Sequence, residues 1–324
     1  MKMSKLFNAI LLISFVYIFS SCETDFNPNA EYKDITVVYG LLNQNDSISY
    51  IKINKAFLGD QNAYVMAQYE DSSSYGNNLE VKVQEVGTNK VFIFDTTTIF
   101  NKESGIFYSP NQVIYKCVTY KQLIVGNEYK LTIRNKKTGK LITSSTQLIS
   151  PFSIIFNGQT FNLPTSGKKV IEWKSAKYGK AYQFNLRFNY FDNGNPKYLD
   201  MIFPVSKSKD VYGGELMRVE FTSTYFFKTI QSNIPVIPGV VRNVGKIELK
   251  VSVAADEFST YLDINAPSGS IVQVRPEYTN IANGIGIFSA RYDNSVDNPC
   301  RLDLGSKTND SLKYGQYTSQ LGFQ

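Results

Sequence analysis

Histidine is absent from all 324 residues. That single absence removes Ser-His-Asp and Cys-His nucleophilic machinery, and with it any histidine-ligated zinc or iron. Cysteine is scarce: the chain has three, Cys22, Cys117 and Cys300, with no C-x-x-C pair, so a zinc knuckle or a thioredoxin-like motif is excluded. No phosphate-binding G-x-x-x-x-G-K-[ST] occurs. "NGIGIF" (Asn283 to Phe288) lacks the third glycine and the βαβ setting of a dinucleotide site, and reads as a turn or bulge. Runs of five or six like charges are also missing. The formal charge is +6, or +4 once Lys2 and Lys5 leave with a leader, and the densest basic cluster, "RNKKTGK" (Arg134 to Lys140), reads as a hairpin tip. A nucleic-acid partner is therefore not expected.

One long apolar run is present, at the start. Leu6 to Phe19 follows a short segment carrying Lys2 and Lys5 and no acid. A charged start, an apolar centre and small residues before a cut describe a secretory signal, and the run falls short of the ~20 apolar residues a membrane span needs. Ser20 and Ser21 precede Cys22 at once. This arrangement resembles the bacterial lipobox, with Phe19 in place of the usual leucine. It implies export, lipidation of Cys22 and anchoring of the mature chain in a membrane. An ordinary signal cut near Ser21 is the alternative. In an oxidising compartment Cys117 and Cys300 either form a disulfide or remain separate thiols; their spacing does not decide.

The remaining pattern is that of strands. "YQFNLRFNY" places Tyr182, Phe184, Leu186, Phe188 and Tyr190 on one face, and "KIELKVSV" repeats the alternation with Ile247, Leu249, Val251 and Val253. In "LEVKVQEV", Leu79, Val81 and Val83 alternate, and Val86 slips to the opposite phase after Glu85. "YKLTIRNKKTGKLITSS" reads as a hairpin with Gly139 in its turn. Helical spacing is scarce. "ADEFSTYLDI" offers Phe258, Tyr261 and Leu262 on one face with Asp256 as a cap, one short helix.

These 303 residues after the leader predict a mostly β chain of two antiparallel β-sandwich bodies, of immunoglobulin or fibronectin type, behind a lipoprotein signal peptide. The expected organisation is a signal peptide over 1–21, a lipidated tether over 22–33 and an immunoglobulin-like sandwich over 34–149. A second β-rich domain with one short helix follows over 150–290, then an irregular tail over 291–324. A lipid-embedded barrel is disfavoured, because the lipid anchor makes it redundant.

Three stretches carry a family resemblance: "ITVVYGLLN" (Ile35 to Asn43), "GNEYKLTIRNKKTGKLITSSTQL" (Gly126 to Leu148) and "PEYTNIANGIGIFSARY" (Pro276 to Tyr292). With the lipobox cysteine they resemble a family of Bacteroidota outer-membrane lipoproteins known only as a domain of unknown function. The resemblance implies a lipid-anchored, two-part β protein found alongside TonB-dependent transport systems. It supplies no activity to carry over.

Sites of chemistry are few. Glu172, Glu215, Glu220 and Glu248 are formal candidates for a carboxylate-based glycoside hydrolase, although any β protein scatters acids in this way. "FDNGNPKYLD" (Phe191 to Asp200) and "YDNSVDNP" (Tyr292 to Pro299) gather oxygens without the D-x-D-x-D-G order of a calcium loop, and plain turns are the simpler reading. No metal and no cofactor is expected. The single tryptophan, Trp173, matches the inward tryptophan of a fibronectin-like sandwich better than a sugar platform. Tyrosines such as those of "TSTYFF" (Thr222 to Phe227) read as interior packing before contact surface. Ser47, Thr96 and Ser311 each follow an aspartate in a pattern that resembles the O-glycosylation sequon of Bacteroidota exported proteins. The expected function is that of a lipid-anchored, non-enzymatic outer-membrane binding or accessory protein, a monomer or part of a hetero-complex, working with a TonB-dependent transporter. A fimbria-like structural subunit and a carboxylate-dependent carbohydrate-active enzyme are the alternatives.

Overall fold

A computed structural model describes residues 34–56, 62–156, 158–164, 167–266, 277–294 and 300–324. Cys22, the leader and the tether lie outside the described residues. The chain is mostly β: a large mixed sheet and a small one. Seven strands come first: β1 (Thr36–Leu42), β2 (Ile48–Lys55), β3 (Leu79–Glu85), β4 (Val91–Ile99), β5 (Gln112–Val118), β6 (Glu128–Asn135) and β7 (Leu141–Gln147). Then follow β8 (Ile154–Ile155), β9 (Thr160–Phe161), β10 (Lys168–Lys174), β11 (Ala181–Asp192), β12 (Asn195–Ile202), β13 (Ser206–Lys207), β14 (Leu216–Thr222), β15 (Arg242–Ala254), β16 (Gly284–Asp293) and β17 (Cys300–Leu304). The helices are α1 (Ala63–Ala67), α2 (Glu70–Ser73), α3 (Ser223–Asn233), α4 (Asp256–Asn265) and α5 (Ser306–Tyr314), with a 3₁₀ turn at Ser319–Leu321.

Local chemistry explains most of the turns. Between β1 and β2, Asn43 Oδ1 accepts from the Asn45 amide and its Nδ2 donates to Asp46 Oδ1, an Asx turn. At the β6–β7 tip Asn135 Oδ1 accepts from the amides of Lys137 and Thr138, and Gly139 takes φ +73°. Asn193 and Gly194, at φ +48° and +85°, close the β11–β12 hairpin, as an Asn-Gly pair favours. "RNKKTGK" is thus a hairpin tip and "FDNGNPKYLD" a tight turn at Asn193–Gly194 that runs on into β12, with Asp192 and Asp200 engaged by Arg242 and Arg187.

The large sheet runs β12-β11-β15-β16-β1-β2-β5-β4-β3-β6-β7, with β13 and β17 attached at β11 and β15, and β9 at β17. The small sheet is β14-β10-β8. An all-antiparallel arrangement was the expectation; instead β1 runs parallel to β16 and β9 parallel to β17. The β1–β16 pairing, Thr36↔Gly284 to Leu42↔Ala290, hydrogen-bonds the first strand of the chain to one of its last. "NGIGIF" is this joint: Asn283 turns the chain and the glycines lie within β16. Gly286 sits at φ +109°, and a Cβ there would stand 2.1 Å from the Val38 carbonyl oxygen, so only glycine lets the two backbones meet. Past Ala290, β16 continues against β15 through Arg291–Asp293. At the far edge, Thr143 of β7 bridges Ala282, just before β16. β4 similarly divides its pairing, Val91–Phe94 with β3 and Asp95–Ile99 with β5.

Three expectations need correcting. Segment 291–324 is not irregular: its described part holds the end of β16, then β17, α5 and the 3₁₀ turn. Its weak periodicity hides buried anchors, Leu312, Leu321 and Phe323, the last packed edge-on against Phe188 and Tyr190. Arg242 receives the end of the chain. Its amide donates to the Gly322 carbonyl, its guanidinium to Leu321 O at 2.6 Å, and its carbonyl accepts from the Gln324 amide. The described part of 150–290 holds two helices, because "TSTYFF" opens α3 with Thr222 capping the Tyr225 amide and Phe226 and Phe227 buried. In α4, Asp256 is the first helical residue, not the cap, and Leu262 is exposed. Val86 takes the phase opposite to Leu79, Val81 and Val83, as expected. Glu85 keeps the inward phase at 1% exposure, accepting from Asn127 Nδ2 at 2.5 Å, and Val86 faces out.

Two tyrosines fasten connections. Tyr129 at the start of β6 takes the Ile124 amide on its hydroxyl at 2.6 Å, and Tyr182 at the start of β11 takes the Ala176 amide at 2.8 Å. Burial pushes both hydroxyls up to about 12. Trp173 is core, 1% exposed and stacked on Phe184 with ring centroids 6.4 Å apart.

Candidate binding groove

The outward face of β1-β2-β5-β4 forms the floor of a groove. Strand alternation sends Val38, Leu42, Ile51 and Ile53 inward, and so turns Tyr39, Tyr50, Lys52 and Asn54 outward. Pairing then sets them in rows: Tyr39 lies opposite Lys52, Val37 opposite Asn54, Tyr50 opposite Lys116, and Lys116 opposite Asp95. Tyr39 and Tyr50 remain 41% and 48% exposed, unusual for rings in the middle of a sheet.

Two walls rise from this floor. On the β16 side α4 packs over the strand, and Tyr261 meets Tyr39 edge-on, centroids 6.3 Å apart. Burial and the Tyr39 hydroxyl push the Tyr261 hydroxyl up to about 12. The other wall is α1, α2 and the loop 100–111. The Tyr108 amide donates to the α1 carbonyl of Ala67 at 2.8 Å, and Asn54 Nδ2 donates to Ser73 O of α2 at 3.2 Å. Two adjoining hollows result, about 570 Å³ against the α2 and loop wall and about 450 Å³ over β4 and β5, with Tyr39, Lys52 and Gln112 lining both.

The electrostatics are one-sided. Lys52, Lys55, Lys102 and Lys116 line the groove, and none makes an ion pair among the described residues. The acids present among the described residues are Glu70 on the α2 wall and Asp95 at the far row. Burial, then the charge of Lys102, lower the Lys52 ammonium from its usual value. Lys102 is held in place by Tyr108 O at 2.7 Å and lies 5.9 Å from the centre of the Phe107 ring. This arrangement can bind an anion against aromatic surface. Among the described residues no cluster of His, Cys, Asp or Glu is placed to hold a metal.

The residues singled out by sequence lie elsewhere. Cys22 is outside the described residues. Cys117 on β5 and Cys300 on β17 are both free thiols, so the disulfide alternative is not realised: β15, β16, β1 and β2 stand between their strands. Burial raises both thiols above their usual value, Asp95 adding to it at Cys117, which leaves them poor nucleophiles. Ser47 and Thr96 are exposed in the β1–β2 turn and on β4, and Thr96 donates to Asn77 Oδ1; Ser311, exposed on α5, donates to Lys307 O. The four glutamates are not gathered. Glu220 pairs with Lys168 and Glu248 with Arg301, Glu215 caps the Lys209 amide, and Glu172 stands opposite Arg218 on the small sheet. Of "YDNSVDNP", Asp293 pairs with Lys250, and 295–299 lies outside the described residues. The groove residues were missed. "SISYIKINK" carried their signal, tyrosine and lysine on the polar phase of an alternating strand. No protein-family model matches this chain, and no curated protein matches it.

Proposed function

We propose that this chain is an exported, lipid-anchored, non-enzymatic binding module of the outer membrane, whose groove over β1-β2-β5-β4 takes the ligand, and that it serves a TonB-dependent transporter. The groove carries this reading: exposed tyrosines beside lysines that form no ion pair among the described residues. Lipobox geometry at Cys22 supports the anchor. A tether over 22–33 reaches at most about 40 Å from the lipid to Asp34. The resemblance of three sequence stretches to Bacteroidota lipoproteins supports the transporter as partner.

An immunoglobulin-like sandwich for each half agrees with this reading. The divided pairing of β4 is how a strand passes between two packed sheets, and Tyr129 and Tyr182 resemble the tyrosine corner of such domains. The seated C-terminus supports a self-contained module over a fimbria-like subunit, which would rely on a strand from a second copy.

Pull-down of the full chain from native membranes, with mass-spectrometric identification, tests the proposal. Recovery of a TonB-dependent transporter with the wild type is expected, together with release of Cys22→Ala into the soluble fraction. The variant carrying Tyr39→Ala and Tyr50→Ala should stay membrane-bound but lose its ligand. Cys22→Ala persisting in the membrane, or no transporter in the eluate, would reject it.

A further inference from the structure

We infer that the ligand of this groove is an acidic oligosaccharide, a chain of sugars bearing carboxylate or sulfate groups. The inference rests on the groove being the binding site and goes on to its chemistry. Charge is the first argument. Lys52 and Lys102 converge on the same hollow from the floor and the wall, with Lys55 beside them and Lys116 in the next row. Among the described residues Glu70 and Asp95 are the acids facing them, and neither forms an ion pair with a groove lysine. Two ammonium groups that share a hollow with no ion-pair partner among the described residues repel in the empty protein, and an anion between them removes that repulsion on binding.

The second argument concerns the body of the ligand. Tyr39 and Tyr50 offer exposed ring area with polar tips, and Asn54, Thr97 and Gln112 add amide and hydroxyl groups between the rings. Such mixed surfaces suit a polyhydroxylated chain, which presents C–H faces to rings and hydroxyls to amides. β2 and β5 pair with each other only through residues 48–51 and 115–118, so residues 52–55 and 112–114 have a ladder partner on one side alone. A polyglutamate probe tests whether a peptide is taken there instead. A helical ligand would want a continuous apolar trough, and the lysine rows interrupt it.

Calorimetric titration of the detergent-solubilised full chain decides the matter with four probes: a defined oligogalacturonate, its methyl ester, a sulfated oligosaccharide and a polyglutamate peptide. The oligogalacturonate, the sulfated sugar or both should bind, with affinity falling as salt rises. The ester should bind about tenfold more weakly or worse, and Lys52→Gln and Lys102→Gln should each weaken acid binding about tenfold. Lys52→Arg, which keeps the charge, should stay near the wild type, showing that loss in Lys52→Gln is not misfolding. Equal binding of acid and ester, or polyglutamate matching the acidic sugars, would overturn the inference. If no acidic sugar binds while ligand recovered from membranes still depends on Tyr39 and Tyr50, the groove keeps its function and this ligand class falls.

Discussion

Two outward faces of the same sheet differ in how they treat charge. Across β11, β15 and β17 almost every cation meets an acid: Arg187 grips Asp200 through two bonds of 2.8 Å, Arg301 meets Glu248 at 3.1 Å, and Lys250 pairs with Asp293. Arg187 also lies 4.1 Å from the centre of the Tyr198 ring. That face neutralises itself and needs nothing from outside, although it contains a hollow of about 150 Å³. Across β1, β2 and β5 the lysines stand among tyrosines, and none forms an ion pair among the described residues. Both faces are polar and half exposed, and composition does not separate them. A binding surface is distinguished here by interactions left incomplete in the free protein.

The comparison can be broken most severely at the matched extreme, Arg242. Its side chain is fully buried, paired with Asp192 at 2.6 Å and holding the Leu321 carbonyl. Arg242→Ala leaves a carboxylate and a carbonyl uncompensated and should cost roughly 3–5 kcal/mol. Urea denaturation of the full chain measures it, and a loss under about 1 kcal/mol would mean the pair is not what seats the C-terminus.

Next comes the joint that places the two faces on one sheet. Gly286→Ala puts a methyl group against the Val38 carbonyl at a φ of +109°, so a loss of roughly 3 kcal/mol is expected from strain and clash together. Hydrogen exchange should show β1 and β16 losing protection in step. Unchanged protection in both would refute the tight parallel contact.

Arg187→Met tests the self-neutralised face directly. Its partners are part-exposed, so solvent screening limits the effect to about 0.5–1 kcal/mol at neutral pH. The Arg187 guanidinium holds the Asp200 carboxyl below its usual value. A carboxylate so depressed contributes stability above its unfolded pKa of ~3.9 and loses it as pH falls through the folded value. The gap between wild type and variant should therefore close in acid. A gap as wide in acid as at neutral pH would place the effect in packing on Tyr198.

The smallest change should have the opposite sign. Lys52→Gln removes a half-buried cation that Lys102 repels, so stability should hold or rise by up to about 0.5 kcal/mol. Because the folded pKa of Lys52 is lowered, its charged form weakens the fold below that value, and the weakness is relieved as pH climbs toward the unfolded pKa. The advantage of Lys52→Gln should accordingly shrink in alkaline buffer. A clear destabilisation at neutral pH would mean that Lys52 has a counter-charge after all.

Much of the fold was legible in alternation. Tyr182 to Tyr190 and Ile247 to Val253 face inward as their period of two requires, and the Asn-Gly and Lys-Thr-Gly turns form where those residues favour them. That Glu85 can hold the inward phase was not legible, because its partner Asn127 lies far along the chain. The tail misled the reading. Leu312, Leu321 and Phe323 are too widely spaced to show a period, yet each is buried, Phe323 against Phe188 and Tyr190 of the distant β11.

By itself, then, the amino-acid sequence determined the local terms: which side of each strand is apolar, where the chain turns, and the absence of histidine chemistry. Those depend on residues within a few positions of one another, where covalent geometry fixes the distances. Only the tertiary structure decided that β1 lies parallel to β16, that Cys117 and Cys300 stay apart, and that Tyr39, Lys52, Lys102, Lys116 and Tyr261 share one groove. A period of two tells a side chain to face out, but not which strand will lie beside it. That choice comes from how the whole set of strands buries its inward faces together, and from a single glycine where two backbones must touch.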